Sequence, residues 1–387
     1  MGASGAQLDD SFPRMETCEI LIVGGGPAGS TCARLLKRAG IDVMILDKKA
    51  FPRDKICAGW VTPAVVEELE MDVDAYRATG RTIQPITAFR TGMIEGRIVN
   101  TKYPEVVSYG IRRFEFDAYL LERCGARLAP PAQLKSLERS ANGWVANGSI
   151  EAKFVVGAGG HFCPVARHIG AQLGQSESVV AAQEIEFPMT EAQKQDCAAL
   201  GEAPELYFCP DLKGYGWIFR KGDYLNVGLG REDNHKLSEH VAEFVRWLKA
   251  ERRVPQDTPE KLGGHAYLLY NHAPRPFLGD RAMLIGDAAG LAYPQSGEGI
   301  RPAVESAMFA AEILIAARGD YSASKLAPYE AKMLERFGAR QTKSMTERLP
   351  EGLKKLAAAR LMGSEWFTRS FVLDEWFLHR KQAALQA

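Results

Sequence analysis

The most constraining feature of this sequence is a glycine-rich turn near the N-terminus that lies between an apolar segment and a helical one. Residues 19–23 read Glu-Ile-Leu-Ile-Val, a run typical of a buried parallel strand. The turn, Gly24–Gly29, has the spacing GxGxxG, and a second predicted strand over residues 41–46 ends at Asp47. This order predicts a βαβ unit of the Rossmann type, which binds a dinucleotide.

The spacing of the turn assigns a role to each glycine of the motif. Gly24 permits the tight turn, Gly26 lets a pyrophosphate approach the main chain, and Gly29 lets the helix pack against the strand. The helix N-terminus directs N–H groups at the phosphates, and the Asp47 carboxylate can accept hydrogen bonds from ribose hydroxyls. The residues assigned here to cofactor binding are Gly24, Gly26, Pro27, Ala28, Gly29, Asp47 and Lys48.

A second strand and small-residue turn stand far along the chain. Residues 282–290 read Ala-Met-Leu-Ile-Gly-Asp-Ala-Ala-Gly, and further glycines precede a predicted helix over residues 301–318. A helix N-terminus of this kind can face an anion, and the Asp287 carboxylate can hold sugar or ribityl hydroxyls. Two such segments suit one extended dinucleotide that is held at both ends. They add Gly286, Asp287, Gly297, Gly299 and Ile300 to the predicted cofactor-binding residues.

These segments resemble a family of flavoproteins. The order found in FAD-dependent oxidoreductases of the aromatic-hydroxylase type is matched by Gly24–Gly29, Asp47, residues 51–57 (Phe-Pro-Arg-Asp-Lys-Ile-Cys) and Gly286–Gly290. Within these, the chain most resembles the geranylgeranyl reductase family, over about residues 18 to 320. The resemblance implies FAD as cofactor and an α/β fold. In that fold a Rossmann-like FAD-binding domain is interleaved with an α+β substrate domain on a mostly antiparallel sheet, followed by C-terminal helices.

Two further segments imply contacts with the flavin. The family's motif Arg-x-x-Phe-Asp-x-x-Leu is matched from Arg113 onward, and in the family this arginine approaches the cofactor. The segment 51–59 resembles the loop that brings a cysteine towards the flavin, which implies cofactor contacts for Cys57 and Ala58. Cys57 has two interpretations: a small apolar filler near the ring, or a thiol that gates or tunes the flavin as a catalytic residue.

An aromatic segment is the candidate substrate site. The residues Tyr215, Trp217 and Phe219 alternate along a predicted strand, so their side chains share one face. They resemble the family's aromatic substrate-pocket motif, and such a wall would suit a flat or prenyl-like apolar substrate. Ordinary packing in the core of a sheet is the alternative. Arg301 follows the late glycines and is the second catalytic candidate, since it could stabilise a reduced, anionic ring or form a surface ion pair.

The predicted function is the reduction of carbon–carbon double bonds in an apolar, isoprenoid-like substrate by reduced FAD. A flavin-dependent monooxygenase that hydroxylates an aromatic or polyketide-like small molecule is the alternative. A halogenase should carry a WxWxIP signature, which the sequence lacks. The segment Gly157–Gly160 replaces the Gly-Ala-Asp-Gly of many relatives, and no second strand–GxGxxG–helix unit is present. NAD(P)H is therefore expected to bind only transiently as the reductant, or another donor, such as a redox partner, reduces the flavin.

Composition excludes several other classes. Lys and Arg total 48, as do Asp and Glu, so a general basic field for nucleic acid is absent. The seven cysteines have no paired spacing, and no metal-binding motif is present, so a cytoplasmic protein with reduced thiols and no metal is expected. No apolar run of about 18 residues predicts a membrane span. Residues 1–14 lack the pattern of a signal peptide and are expected to form a disordered leader.

The remaining organisation follows from these motifs. The predicted FAD-binding domain comprises residues 15–80, 105–170 and 265–320, the substrate domain residues 81–104 and 171–264, and the C-terminal helical region residues 321–387. In the last region, Trp366, Leu373 and Phe377 are expected to share one helical face. That aromatic stretch either caps the core or forms a patch that covers a lipidic pocket or meets a membrane peripherally.

Overall fold

The computed structural model describes residues 15–172, 177, 179–233, 236–273, 275–340 and 360–386, so the predicted leader lies outside the described residues. The strands within these ranges are β1 (Glu16–Val23), β2 (Val43–Leu46), β3 (Trp60–Val61), β4 (Ile83–Ile86), β5 (Ala88–Met93), β6 (Ile98–Lys102), β7 (Ser108–Ile111), β8 (Arg127–Leu128), β9 (Leu137–Arg139), β10 (Trp144–Ala146), β11 (Ile150–Gly157), β12 (Val179–Pro188), β13 (Glu205–Phe208), β14 (Gly214–Lys221), β15 (Tyr224–Arg231), β16 (Gly263–Leu268), β17 (Leu278–Gly279) and β18 (Ala282–Leu284).

The helices lie between and after these strands. They are α1 (Pro27–Arg38), α2 (Pro63–Glu68), α3 (Val73–Ala78), α4 (Arg113–Arg123), α5 (Pro164–His168), α6 (Glu191–Asp196), α7 (Leu237–Ala250), α8 (Ile300–Ala317), α9 (Ala323–Phe337) and α10 (Glu365–Phe367), which continues into a π-helix over Thr368–Phe377. Short 3₁₀ turns occupy Tyr270–His272 and Gly286–Ala289.

The first sheet has the strand order β17-β18-β11-β1-β2-β8, and the hairpin β9–β10 is added to it through β11. The strands β18, β11, β1 and β2 run parallel to one another. Their residues are apolar along nearly the whole length because both faces of the sheet are covered, as is usual for a parallel sheet. Helices α1 and α8 pack against each other in this core. The predicted Rossmann-like arrangement is confirmed.

The second sheet has the order β16-β12-β15-β14-β13-β5-β6, and only the β13–β5 pair is parallel. It is therefore the predicted, mostly antiparallel sheet, and the fold class is confirmed. One of its strands, β16, extends past the predicted boundary at residue 264. The domain boundaries themselves stay a prediction. A small third sheet has the order β3-β7-β4, and its strands pair antiparallel.

The C-terminal aromatic stretch differs from the expectation. Leu373 and Phe377 are buried, whereas Trp366 is 67% exposed, so the three residues do not share one face. The reason is the π-helix, in which hydrogen bonds such as that from the Leu378 N–H to the Leu373 carbonyl (2.8 Å) span five residues. Each turn thus holds more residues than an α-turn, and the sequence periodicity no longer predicts the face. Among the described residues, no helix is both long and apolar enough to cross a bilayer.

Candidate cofactor and substrate site

The parallel strands of the first sheet end at one edge. In the register of the sheet, Val23 of β1 lies beside Leu46 of β2 and Gly157 of β11, and Gly157 lies beside Leu284 of β18. The segments that follow these four positions are the glycine turn, Asp47, the Gly157–Gly160 segment and the turn at Gly286. Ligands of open α/β sheets bind outside the carboxyl ends of the strands, so this edge is the candidate cofactor site.

The two glycine turns adjoin there, although they are far apart in the sequence. A Cβ atom at Gly286 would lie 3.1 Å from the Cβ of Ala28 and 3.2 Å from that of Ala303 at the start of α8. A side chain at Gly29 would overlap with the carbonyl of Gly24. Because glycine has no side chain, the helix can begin this close to the strand. The structure therefore brings together the two segments that the sequence assigns to the cofactor.

The surroundings of Gly26 suit a pyrophosphate. The nearest atoms to a Cβ at Gly26 belong to Arg53, at 3.5 Å, and to Asp117, at 3.9 Å, so the main chain here is open to an approaching group. Arg113 pairs with Asp117 through two hydrogen bonds of 2.6 and 2.8 Å, and Arg53 lies 3.3 Å from the same carboxylate. Two guanidinium groups thus stand beside the N-terminus of α1, which favours a negative charge.

The two predicted carboxylates occupy different surroundings. Asp47 accepts hydrogen bonds from the N–H groups of Gly25 (2.8 Å) and Lys49 (2.9 Å), so it braces the glycine turn; Lys48 beside it is exposed. Asp287 points at the N-terminus of α8, where its Oδ1 would lie 2.9 Å from a Cβ at Gly299. A side chain at that position would force the carboxylate to move away from the helix start.

The start of α8 closes this side of the site. Ile300 is buried in an apolar cluster, and Gly297 has a φ of +68° with the Tyr267 ring against it. The Tyr215 hydroxyl donates a hydrogen bond to the Ser296 carbonyl. The loop before α8 is therefore in contact with two strands of the second sheet.

Arg301 lies beside the C-terminal segment, and its role at the flavin ring stays a prediction. Its side chain is fully buried, its Nε donates to Glu305 (2.8 Å), and its Nη2 donates to the carbonyls of Gln382 (2.8 Å) and Ala383 (3.0 Å). It forms an ion pair, as the alternative interpretation has it, but inside the protein and not at the surface. Arg336 donates to the same Ala383 carbonyl (2.9 Å), so both arginines anchor the C-terminal segment.

The main chain of Cys57 is held from the second sheet. Its N–H donates to the Glu184 carboxylate on β12, and its carbonyl accepts from the Asn226 amide on β15 at 3.3 Å. The Asn226 oxygen in turn accepts a hydrogen bond of 2.7 Å from the Trp217 indole. The Cys57 thiol is half-buried and accepts a hydrogen bond from the Gly59 N–H at 3.4 Å. The loop predicted to approach the flavin is thus joined directly to the predicted substrate wall.

The aromatic residues of β14 do share one face. Tyr215, Trp217 and Phe219 lie opposite Gly230, Gly228 and Asn226 of β15, respectively. A side chain at Gly228 would collide with the indole, so the ring lies flat over a glycine. Ala58 and Trp60 of the cysteine loop pack into the same apolar cluster, and the Trp60 and Phe219 rings have centroids 5.8 Å apart.

The C-terminal π-helix covers this aromatic wall. Val372, Leu373 and Phe377 are buried in the same cluster, and the Phe377 ring stacks on Trp60 with centroids 5.6 Å apart. Of the two interpretations of the C-terminal aromatic stretch, the one in which it caps the core agrees with the positions of Val372, Leu373 and Phe377. The exposed Trp366 takes no part in that cluster.

Sequence reasoning missed several ionisable residues here. Burial lowers the pKa of Lys55 to about 8, and its Nζ lies 2.6 Å from Nε2 of His265 on β16. Burial and Lys55 together lower the pKa of His265 to about 3. Burial also raises the pKa of Glu298, between the late glycines, to about 8. Lys55 lies within the Phe51–Cys57 segment that resembles a flavin-binding motif, so its place near the site could have been predicted from the sequence. The places of His265 and Glu184 could not, because they depend on the register of the sheet.

The edge of the first sheet, with its open main chain, paired arginines and two carboxylates, fits a dinucleotide, and the aromatic wall of the second sheet fits an apolar substrate. The fold and the site define an FAD-dependent oxidoreductase. The chain belongs to the family described as "FAD binding domain", whose profile matches residues 17–342.

Individual relatives agree with this class. The chain is 28% identical over 351 residues to digeranylgeranylglycerophospholipid reductase 1 of Methanothermobacter thermautotrophicus, covering 83% of each chain. It is 29% identical over 325 residues to a menaquinone reductase of Mycobacterium tuberculosis, covering 77% of each. A crystal structure of a geranylgeranyl bacteriochlorophyll reductase-like protein from Thermoplasma acidophilum has the same fold, with a TM-score of 0.76 and 21% identity over 95% of this chain and 98% of that one. The recognised resemblance to geranylgeranyl reductases is confirmed.

Proposed function

We propose that this protein reduces carbon–carbon double bonds in an apolar, isoprenoid-like substrate. The observation that carries the proposal is the direct connection of the flavin-side loop at Cys57 to the aromatic wall through Asn226 and Trp217. A flat, apolar wall of this kind offers contact area and excludes water, but it offers few groups that would orient a polar substrate. The names of the relatives, reductases of geranylgeranyl chains and of menaquinone, support the same substrate class.

Different residues bind the cofactor and the substrate in this proposal. Bound FAD in its reduced form supplies the hydride, and NAD(P)H or another donor reduces it. The proposed FAD contacts are Gly24, Gly26, Pro27, Ala28, Gly29, Asp47, Lys48, Cys57, Ala58, Arg113, Gly286, Asp287, Gly297, Gly299 and Ile300, with Arg53 as an addition from the structure. The proposed substrate contacts are Tyr215, Trp217 and Phe219. Cys57 holds its loop against the wall, and Arg301 is a positioning residue for the C-terminal segment.

A membrane contact fits the same substrate class, because long isoprenoid chains reside in lipid. We propose that the exposed Trp366 and the neighbouring Leu361, which is 44% exposed, touch a lipid surface from which the substrate is taken. The covering residues Val372, Leu373 and Phe377 then separate the aromatic wall from that surface. Opening of this cover would admit an isoprenoid chain.

An anaerobic experiment tests the proposed function. The FAD-loaded protein is reduced with dithionite without oxygen and mixed with a geranylgeranyl lipid in detergent. Reoxidation of the flavin together with a lipid product that has gained two hydrogen atoms per turnover is the expected result. The monooxygenase alternative predicts no anaerobic reoxidation, and instead oxygen uptake with a hydroxylated product. That second outcome would overturn the proposal.

A further inference from the structure

One buried carboxyl group stands between the cysteine loop and the aromatic wall. Glu184 lies on β12 opposite Gly228 of β15, and Gly228 lies opposite Trp217 of β14, so the glutamate and the indole are in one row across the sheet. A Cβ at Gly228 would lie 2.7 Å from the Glu184 Cβ and would also collide with the indole. The two side chains therefore meet over a glycine, directly beside the proposed substrate site.

The two oxygens of this carboxyl group are in different situations. One accepts the hydrogen bond from the Cys57 N–H. The other is buried and has no hydrogen-bond partner within the described residues, and the residue as a whole is only 5% exposed. An ionised carboxylate is costly under these conditions, because an unpaired charge loses its hydration. Burial accordingly raises the pKa of Glu184 to about 7, although the Cys57 N–H and Lys221 oppose the rise.

The next glutamate on the same face of β12 provides an internal contrast. Glu186 accepts hydrogen bonds from Lys221 Nζ (2.7 Å) and from Arg112 Nε (3.0 Å). Although burial acts in the opposite direction, these two cations lower the pKa of Glu186 below its usual value. Near neutral pH the Glu184 carboxyl group is thus about half protonated, whereas Glu186 on the same strand stays ionised. This is the arrangement by which proteins separate an acid from a structural anion.

The proposed reaction requires such an acid. When a carbon–carbon double bond is reduced, a hydride forms one new C–H bond, and the π electron pair forms the other with a proton. The hydride and its two electrons come from reduced FAD, so the proton must come from a protein group or from water. The aromatic wall and the C-terminal cover exclude water from this region, which leaves few proton sources.

We propose that the Glu184 carboxyl group donates this proton to the substrate carbon that does not receive the hydride. The inference rests on the proposed function. The carboxylate that remains, hydrogen-bonded to the Cys57 N–H, regains a proton from solvent after the product leaves. The charged or titratable groups that surround it are Lys221, Glu186 and Cys57; His265 lies on the neighbouring strand β16 and contacts Lys55 of the cysteine loop.

Two substitutions separate proton donation from structure. Glu184→Gln keeps an acceptor for the Cys57 N–H but cannot donate an acidic proton, and Glu184→Asp keeps the acid on a shorter side chain. Glu186→Gln is the matched control, since it removes a carboxylate from the same face and strand. The FAD content and the melting temperature of each variant are measured first, so that unfolded protein is excluded.

The kinetic test follows the anaerobic half-reactions separately. In Glu184→Gln, flavin reduction by dithionite should proceed as in the wild type, whereas reoxidation by the geranylgeranyl lipid should slow by about 100-fold or more. The wild-type reoxidation rate should fall above about pH 7, as the acid loses its proton, and this limb should vanish in Glu184→Gln. Glu184→Asp should restore part of the rate. Glu186→Gln should keep the limb and shift it to lower pH, because a neighbouring negative charge is removed.

A second readout does not depend on turnover. Infrared difference spectra of the wild type across neutral pH should contain carbonyl bands of protonated carboxyl groups, and Glu184→Gln should lose the Glu184 contribution while that of Glu298 remains. Reoxidation of Glu184→Gln at the wild-type rate, or a spectrum unchanged by the substitution, would overturn the inference. A wild type that transfers hydrogen to no unsaturated lipid is a distinct result: it overturns the proposed function and, with it, the role of this proton.

Discussion

Glu184 accepts a hydrogen bond from the main-chain N–H of Cys57, across 127 positions of the sequence. The bond joins the second sheet to the loop that approaches the flavin. This hydrogen bond sets the distance between the aromatic wall and the cofactor site, and it does so in the absence of substrate. The geometry of the site is therefore built into the free protein, which reduces the ordering cost of binding.

The openness of the main chain at Gly26 predicts that a side chain there prevents FAD binding. In Gly26→Glu, a carboxylate would occupy the approach to the pyrophosphate and repel it. The purified variant should be colourless, with a flavin absorbance per protein at least about tenfold below wild type.

Gly264→Glu is the control for this prediction, because a Cβ there meets no atom within 4 Å and the backbone φ is ordinary. This variant should remain yellow. Equal flavin content in both variants would contradict the assignment of the glycine turn.

The glycine under the Trp217 ring predicts a sensitive point in the substrate site. In Gly228→Ala the new methyl group would collide with the indole and press on the Glu184 side chain. We expect a loss of about 1–3 kcal/mol in the free energy of unfolding, as is usual for overpacked cores, measured by urea titration. Lipid reduction should fall while FAD remains bound; Gly264→Ala serves as the control. Unchanged turnover in Gly228→Ala would show that the substrate does not use this wall.

The buried ion pair of Arg301 predicts a structural role for that residue. Arg301→Gln leaves the Glu305 carboxylate with one cation fewer, releases the carbonyl of Gln382 and leaves that of Ala383 to Arg336 alone. Breaking one partner of a buried pair costs about 3–5 kcal/mol, so the melting temperature should drop. Proteolysis should cut the C-terminal segment faster, followed by mass spectrometry. The absorbance spectrum of bound FAD should not change. A shifted flavin spectrum with an intact C-terminus would instead favour the role at the ring.

The buried His265 predicts a contribution to acid sensitivity. Its folded-state pKa of about 3 lies below the ordinary value of 6.5, so the unfolded chain binds the proton more readily. Stability attributable to the neutral imidazole is therefore complete above about pH 6.5 and decreases as the pH falls towards 3. The slope for one proton is at most ~1.4 kcal/mol per pH unit. Urea unfolding of wild type and His265→Gln should converge as the solution is acidified; a constant difference between them would contradict the prediction.

The exposed Trp366 predicts weak binding to lipid vesicles. In flotation with anionic vesicles, part of the wild-type protein should rise with the lipid, and Trp366→Ser should reduce that fraction several-fold. The control is Leu128→Ser and not Tyr109→Ser, because Leu128 is an apolar residue with 56% exposure on strand β8, whereas Tyr109 lies in the third sheet. Equal flotation of all three proteins would remove the proposed membrane contact.

Sequence reasoning succeeded where the determining interactions are local. The glycine turn, its flanking strands and the following helix are neighbours in the chain, and the alternation along β14 fixes the shared face of Tyr215, Trp217 and Phe219. The role of Arg301 was harder to predict. The i,i+4 pairing with Glu305 is visible in the sequence, but the two carbonyls that complete its surroundings belong to residues some 80 positions away.

The position of Glu184 could not be predicted at all without the structure. Its importance follows from the pairing of β12 with β15, and of β15 with β14, and from a loop that precedes all three strands. A shift of one residue in any of these registers would turn the carboxyl group to the other face. Such registers are set by tertiary packing, which a single sequence does not reveal.

The hydrogen bonds from Arg301 and Arg336 to the C-terminal segment have a consequence for sequence variation in that segment. Arg301 holds the main-chain oxygens of Gln382 and Ala383, and Arg336 holds that of Ala383, so these hydrogen bonds do not depend on the side chains of the two residues. Substitution of Ala383 should therefore leave the anchor in place, whereas substitution of Gln382 would remove the hydrogen bond that its side chain accepts from Tyr293. The spacing of the segment from the π-helix, by contrast, should tolerate neither insertion nor deletion.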